Sequence, residues 1–165
     1  MRSILLFLLV IGTTATAQQS KQFKINGSVK QPQRVTLDSL KKHNKISIDS
    51  IIIYNHLMKR KSSINKVNGV LLKDILTNIE IIADSPKRLS EYYIICTASD
   101  NYKVVFSWNE VFNSKNGNGI MILTSFEPNP AKAEKGDIAI IAPNDEATGR
   151  RFLKGLNQIT ILKAN

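Results

Sequence analysis

The hydrophobic positions of this chain recur mainly at the spacing that is typical of β-strands. Residues 23–30 alternate apolar and polar side chains and turn at Asn26-Gly27, which predicts a strand or hairpin. Residues 46–55 are rich in β-branched side chains and long enough for a central strand. Asp100 and Asn101 favour a tight hairpin turn, because both residue types tolerate a left-handed backbone. Apolar runs predict further strands over residues 92–98, 102–107, 119–126 and 137–143, and around 159–162.

Helical patterns are fewer and shorter. Thr36 has the chemistry of an N-cap for a short helix over residues 35–43. Residues 69–79 place their apolar side chains on one helical stripe, and residues 108–112 form a predicted helical turn after a serine cap. Residues 57–66 are polar and basic, which predicts a loop or an exposed edge. Short strands with few interspersed helices predict an α+β fold around a mixed sheet.

The N-terminal residues have the order of a secretory signal peptide. A positive charge at Arg2 is followed by an apolar run from Ile4 to Ile11 and by small residues up to Ala17. The apolar run is too short to cross a bilayer, which takes about 20 apolar residues. We therefore predict a signal peptide over residues 1–17 and a single domain over residues 18–165, periplasmic or secreted and without a transmembrane anchor. A buried N-terminal strand or helix is the alternative.

The charge of the chain is strongly positive and unevenly distributed. There are 23 Lys and Arg against 13 Asp and Glu, a net charge of +10 at pH 7, and the excess lies in residues 18–73. A basic half indicates an anionic partner such as a phosphate or an anionic lipid surface. Nucleic acid is not expected, because the protein is predicted to be exported and no aromatic residues are interleaved among the lysines. A solvated basic face is the alternative.

Few residues have the chemistry of a catalytic or metal site. Cys96 is the only cysteine and lies in an apolar run, where the pKa of a thiol rises and its reactivity falls. We predict a buried structural thiol. Two histidines, His43 and His56, with one cysteine do not make a zinc cluster at any standard spacing. The sequence contains no serine-hydrolase elbow, no P-loop and no Rossmann glycine pattern.

Phosphate binding has better support. Arg150, Arg151 and Lys154 follow a polar loop that comes after a predicted strand. Two guanidinium groups and an ammonium group beside free backbone N–H groups suit a pyrophosphate. A solvated basic turn is the alternative.

The order of these motifs resembles the sulfite-oxidase fold, also known as the oxidoreductase molybdopterin-binding domain. GVLLKDIL resembles the family's G-V-x-L-x-D-L-L helix, and VTLDSLKK resembles its L-S-L-D-D-L helix. YYIICTAS-DNY-KVVFSWNEVF has the order of its strand, D-G-Y turn, strand and short helix. GIMILTSF, GDIAIIAP and the closing K-GLNQITI follow in the order of its last strands. The resemblance covers roughly residues 23–163.

The resemblance implies a mixed α+β fold with a cleft for the pterin pyrophosphate of a molybdenum cofactor. Lys154 matches the family's cofactor-contacting lysine before the closing strand, and Arg150 and Arg151 are its near neighbours. The other residues that we assign to this cleft are Tyr54, Asn55, His56, Asp100 and Tyr102.

The resemblance fails where catalytic members carry their molybdenum ligand. Their C-x-G-N-R segment follows a strand upstream of the G-V-x-L helix, and the corresponding stretch here is IIIYNHLMKRK. Tyr54 or Asn55 stands at the cysteine position, and a phenol or an amide is a poor replacement for a soft thiolate. Lys59 and Arg60 lie near the position of the family's arginine. The signal also lacks the twin-arginine pair by which cofactor-loaded members usually leave the cell.

We therefore predict an exported molybdopterin-binding-type domain that is not a competent oxotransferase. It would bind a small anionic ligand or a protein partner in the old cofactor cleft, and no catalytic residue or metal ligand is assigned. The alternative is a true molybdopterin-dependent oxidoreductase, or a subunit of one, with the metal held by the cofactor and water alone.

Overall fold

The computed structural model of the chain describes residues 21–127 and 138–165. The strands found there, in chain order, are β1 (Gln22–Gly27), β2 (Gln33–Thr36), β3 (Ile46–Tyr54), β4 (Arg60–Leu71), β5 (Tyr92–Ala98), β6 (Lys103–Ser107), β7 (Met121–Glu127), β8 (Ala139–Ile141), β9 (Leu153–Lys154) and β10 (Leu156–Lys163). The helices are α1 (Leu37–Leu40), α2 (Leu72–Leu76) and α3 (Trp108–Phe112), with 3-10 turns at Pro86–Glu91, Lys115–Asn118 and Thr148–Arg151. The predicted signal peptide lies outside the described residues.

The strands form two five-stranded sheets. The first sheet has the order β2-β1-β10-β5-β6, and the second has the order β3-β4-β7-β8-β9. The first sheet is mixed, because β1 and β10 pair in parallel while its other neighbouring strands pair in antiparallel fashion. The pairings of the second sheet are antiparallel. This arrangement confirms the α+β class with a mixed sheet and few short helices.

Each sheet contributes to a hydrophobic core. The larger core contains the inward-facing side chains of the first sheet, among them Phe23, Ile94 and Phe106, together with α2 and α3. A smaller core lies in the second sheet around Ile53 and Leu123. Burial of these apolar side chains is the main favourable contribution to folding.

The local signals for caps and turns are confirmed. The Thr36 hydroxyl accepts a hydrogen bond from the Ser39 N–H, and the Ser107 hydroxyl accepts one from the Glu110 N–H. These contacts satisfy backbone donors in the first turns of α1 and α3. Asn101 has a φ of 66°, as the tight turn between β5 and β6 requires.

Three sequence predictions about the second sheet were wrong or incomplete. The segment 46–55 was expected to be a central strand, but β3 lies at an edge of its sheet. Residues 57–66 were expected to be a loop or exposed edge. From Arg60 they form an exposed strand rather than a loop, paired only with β3 up to Ile64 and also with β7 from Asn65. The polar composition misleads because one face of this hairpin is solvated. The helix predicted over 69–79 begins only at Leu72, because the residues before it pair with β7.

Within residues 21–127 and 138–165, we find no helix that is both long enough and apolar enough to cross a bilayer.

Candidate functional site

The single thiol is buried in the larger core. Cys96 is 0% exposed and lies between Val104 on β6 and Ile159 on β10 in the register of the first sheet. Burial raises the pKa of the Cys96 thiol to about 12. Full burial and the raised pKa both disfavour the thiolate, which is the form of cysteine that acts as a nucleophile or a metal ligand. This confirms the prediction of a structural cysteine.

The turn between β3 and β4 stands where the resemblance places the molybdenum-ligating segment. The Asn55 side-chain oxygen accepts hydrogen bonds from the backbone N–H groups of Leu57 and Lys59, at 2.9 and 3.0 Å. Asn55 therefore acts as the residue that shapes this turn. His56 is exposed beside it.

The end of β3 is held by the loop that precedes β9. The buried Thr148 hydroxyl donates to the Ile52 carbonyl at 2.8 Å and accepts from the Tyr54 N–H at 2.9 Å. Gly149 follows, and a Cβ there would lie 2.7 Å from the Tyr54 carbonyl oxygen. A glycine is needed because the backbone of the loop approaches β3 so closely.

The same loop is also held by the β5–β6 turn. The Tyr102 hydroxyl donates a 2.5 Å hydrogen bond to the Arg150 carbonyl. Asp100 shapes that turn, since its carboxylate accepts a hydrogen bond from the Tyr102 N–H at 3.2 Å. The loop carrying Arg150 is thus fixed between the two sheets, by Thr148 on one side and Tyr102 on the other.

Arg151 differs sharply from its neighbour Arg150. Its guanidinium group donates to the Asp145 carboxylate, with one contact at 2.6 Å, and forms a 2.7 Å ion pair with Glu110. It also lies 4.5 Å from the centroid of the Phe106 ring. The Asp145 hydrogen bonds and the Glu110 contact hold the pKa of Arg151 above its usual range. Its charge is compensated within the protein, so it has little left to offer an external anion.

The remaining cations near this loop are Arg150, Arg60 and Lys154. Arg150 is exposed, and its guanidinium group makes no ion pair with any residue in the described parts of the chain. Arg60 is the antiparallel partner of Tyr54 and is also exposed. Lys154 lies on β9 with its ammonium group 4.7 Å from the centroid of the Phe152 ring.

The structure thus brings Tyr54, Tyr102, Arg150 and Arg151 to one loop, which we call the bridging loop (residues 145–151). Asn55 and His56 lie farther along, on the β3–β4 turn. Sequence reasoning missed Thr148 and Gly149, which make the close contact with β3. The polar loop before the arginines was the one available signal for them.

A separate cavity of about 490 Å³ opens between α2, the Pro86–Glu91 turn and α3. It is lined mainly by apolar side chains, including Trp108 and Phe112, whose rings stack with centroids 4.2 Å apart. None of the residues predicted for the cofactor cleft lines it.

Comparison with known proteins gives one clear result at the level of structure. No protein-family model matches the sequence, and neither does any curated protein. The fold is similar to that in the crystal structure of the sulfane dehydrogenase SoxCD from Paracoccus pantotrophus, with a TM-score of 0.62 over 87% of this chain. This chain has the sulfite-oxidase fold. At 13% sequence identity the likeness establishes the fold and no more, and the match spans 38% of the SoxCD chain.

The sulfite-oxidase fold implies a molybdenum cofactor, and the side chains present can be compared with the ligands that molybdenum needs. Among residues 21–127 and 138–165, no three His, Cys, Asp or Glu side chains lie close enough together to hold a metal ion. The one thiol of the chain is protonated in the core, and Tyr54 and Asn55 offer a phenol and an amide at the end of β3. The donor set therefore does not fit a molybdenum ion that is ligated by a protein thiolate.

Proposed function

We propose that this chain is an exported domain that uses the sulfite-oxidase fold for binding rather than for redox chemistry. Its ligand is a small phosphate-like anion, bound where the bridging loop meets the end of β3. The groups that would contact the anion are the guanidinium groups of Arg150 and Arg60 and the Tyr54 hydroxyl, with Lys154 nearby on β9.

The observation that carries this proposal is the fixed backbone beneath Arg150. Its carbonyl is held by Tyr102, its N–H donates to the Ala147 carbonyl at 2.9 Å, and the residue before it packs on Tyr54. An exposed arginine on a fixed backbone loses less conformational entropy when it binds an anion than one on a loose loop. Its guanidinium geometry also suits bidentate contact with a phosphate.

Two further features of the end of β3 support an anion. Arg60 faces Tyr54 in the strand register, so a second cation lies next to the point where Gly149 approaches. The Tyr54 hydroxyl has no hydrogen-bond partner within the described residues, and a phenol can donate to an anionic oxygen. No protein thiolate is present at the end of β3, which argues against oxotransfer there. The groups that are present can bind a ligand through charge and hydrogen bonds alone.

Titration calorimetry with pyrophosphate as the probe tests this proposal. We expect the Kd to rise about 10-fold for Arg150→Gln and for Arg60→Gln, since each removes a charge-assisted hydrogen bond. Arg34→Gln is the matched control, because Arg34 is an exposed arginine on β2 in the other sheet, and its Kd should stay unchanged.

Two results would contradict the proposal. The first is that the unaltered protein gives no pyrophosphate binding at millimolar concentration. The second is that Arg34→Gln weakens binding as much as Arg150→Gln, which would mean that only the overall positive charge attracts the anion.

A further inference from the structure

The β3–β4 turn carries two large apolar side chains into solvent. Leu57 is 61% exposed and Met58 is 51% exposed, and they are neighbours at the tip of the hairpin. Beyond them the strands are paired from Tyr54 and Arg60 back to Ile46 and Gly69. The two side chains therefore lie at the end of a fully paired hairpin.

The backbone of this turn is well defined by hydrogen bonds. Asn55 accepts from Leu57 and Lys59 through its side chain and from Met58 through its carbonyl, at 2.9 to 3.0 Å. Met58 has a φ of 58°, a left-handed conformation that glycine or asparagine adopts at lower cost. Turn formation alone therefore does not explain a methionine at this position.

Positive charge lies directly behind the apolar tip. Lys59, Arg60 and Lys61 follow Met58, and none of them pairs with an acidic residue in the described parts of the chain. The sequence contains no Asp or Glu between Asp49 and Asp74. The turn thus places two exposed apolar side chains next to three positive charges that have no acidic partner among the described residues.

We propose that this tip, residues 56–61, inserts into the surface of a membrane that displays anionic phospholipids. Leu57 and Met58 would enter the boundary between headgroups and acyl chains, and Lys59 and Lys61 would contact lipid phosphates. Interfacial binding by soluble proteins combines these two contributions. A protein partner fits less well, because the exposed apolar surface of the turn is two side chains, while a stable protein interface buries about 800 Å² on each side.

Vesicle flotation tests the proposal with protein recovered from the exported fraction of a secreting host. The N-terminus is read by mass spectrometry, so that every variant is compared with the same terminus. Vesicles of pure phosphatidylcholine are compared with vesicles in which about one third of the lipid is phosphatidylglycerol. We expect the unaltered protein to float with the anionic vesicles and to bind the neutral ones at least about 30-fold more weakly.

Two double variants separate the apolar and the cationic contributions. Leu57→Ser with Met58→Ser should lower the partition coefficient on anionic vesicles at least about 10-fold. Lys59→Gln with Lys61→Gln should lower it about 30-fold and leave binding to neutral vesicles unchanged. The control for the apolar variant is Ile82→Ser with Val105→Ser, which replaces two exposed apolar side chains elsewhere. The control for the lysine variant is Lys24→Gln with Lys115→Gln, a double variant with the same net charge. Neither control should change the partition coefficient.

Met58→Gly is a variant that should remain folded, so a loss of vesicle binding could not be attributed to unfolding. Glycine adopts the backbone conformation of Met58 without strain, so the midpoint of thermal unfolding should stay the same or rise while vesicle binding falls. The proposal is overturned if the protein does not float with anionic vesicles, or if the controls lose as much binding as the tip variants. It is also overturned if the tip variants lose only a co-purifying protein partner and vesicle binding is unaffected.

Discussion

Replacing Arg151 by methionine is expected to lower the free energy of unfolding by about 3 kcal/mol, because a shared cation is removed from two partly buried carboxylates. Asp145 and Glu110 both contact the guanidinium group, and all three side chains are about one-fifth exposed. Methionine can retain some of the packing on Phe106, but it leaves both partly buried acids without their shared cation. Urea unfolding at neutral pH measures the change.

The neighbouring arginine is the matched control for this prediction. Arg150→Met should change the free energy of unfolding by no more than about 0.5 kcal/mol, because the Arg150 guanidinium group is exposed and unpaired among the described residues. Its contact with Tyr102 uses the backbone carbonyl and survives the substitution. Equal destabilisation by the two variants would contradict the assignment of Arg151 to structure and Arg150 to ligand binding.

The second large effect concerns the reactivity of Cys96. In the native protein we expect alkylation by iodoacetamide to be at least about 1,000-fold slower than in the unfolded chain, because the thiolate is the reactive species. The pKa of the thiol rises from 9.0 to about 12 through burial, which alone lowers the thiolate population at neutral pH by about that factor. The side chain is also 0% exposed, so the reagent has no direct access.

Mass spectrometry of the alkylated protein over time, with and without denaturant, measures this ratio. Labelling in denaturant should be complete and should have the rate of an ordinary thiol. Rapid alkylation of the folded protein would show that Cys96 is accessible and ionised. It would contradict the conclusion that no protein thiolate is available to bind a metal.

The β5–β6 hairpin could be predicted from sequence almost residue by residue. Its strands are short apolar runs, Asn101 marks the turn and Ser107 caps the next helix, and all of these signals are local. β4 could not be predicted in the same way. Its first half is polar, and it becomes a strand because β3 pairs with it along its length.

The candidate site shows the same limit more strongly. Tyr102 and Arg150 are 48 residues apart in the sequence, and Tyr54 and Thr148 are 94 apart. No periodic sequence pattern can predict either contact. Arg150 and Arg151 are equivalent in the sequence, and only the positions of Asp145 and Glu110 in the fold distinguish them. The resemblance predicted the fold, while the role of each cation at the candidate site depends on tertiary contacts.

Elemental analysis for molybdenum is the most direct test of the central claim, that this sulfite-oxidase fold binds an anion and does not carry a thiolate-ligated redox centre. The protein should be purified from the compartment to which its native host delivers it, so that any cofactor would have been loaded. We expect far less than one molybdenum per chain in folded protein. Stoichiometric molybdenum in such a preparation would contradict the account and establish the chain as a molybdopterin-dependent oxidoreductase or a subunit of one.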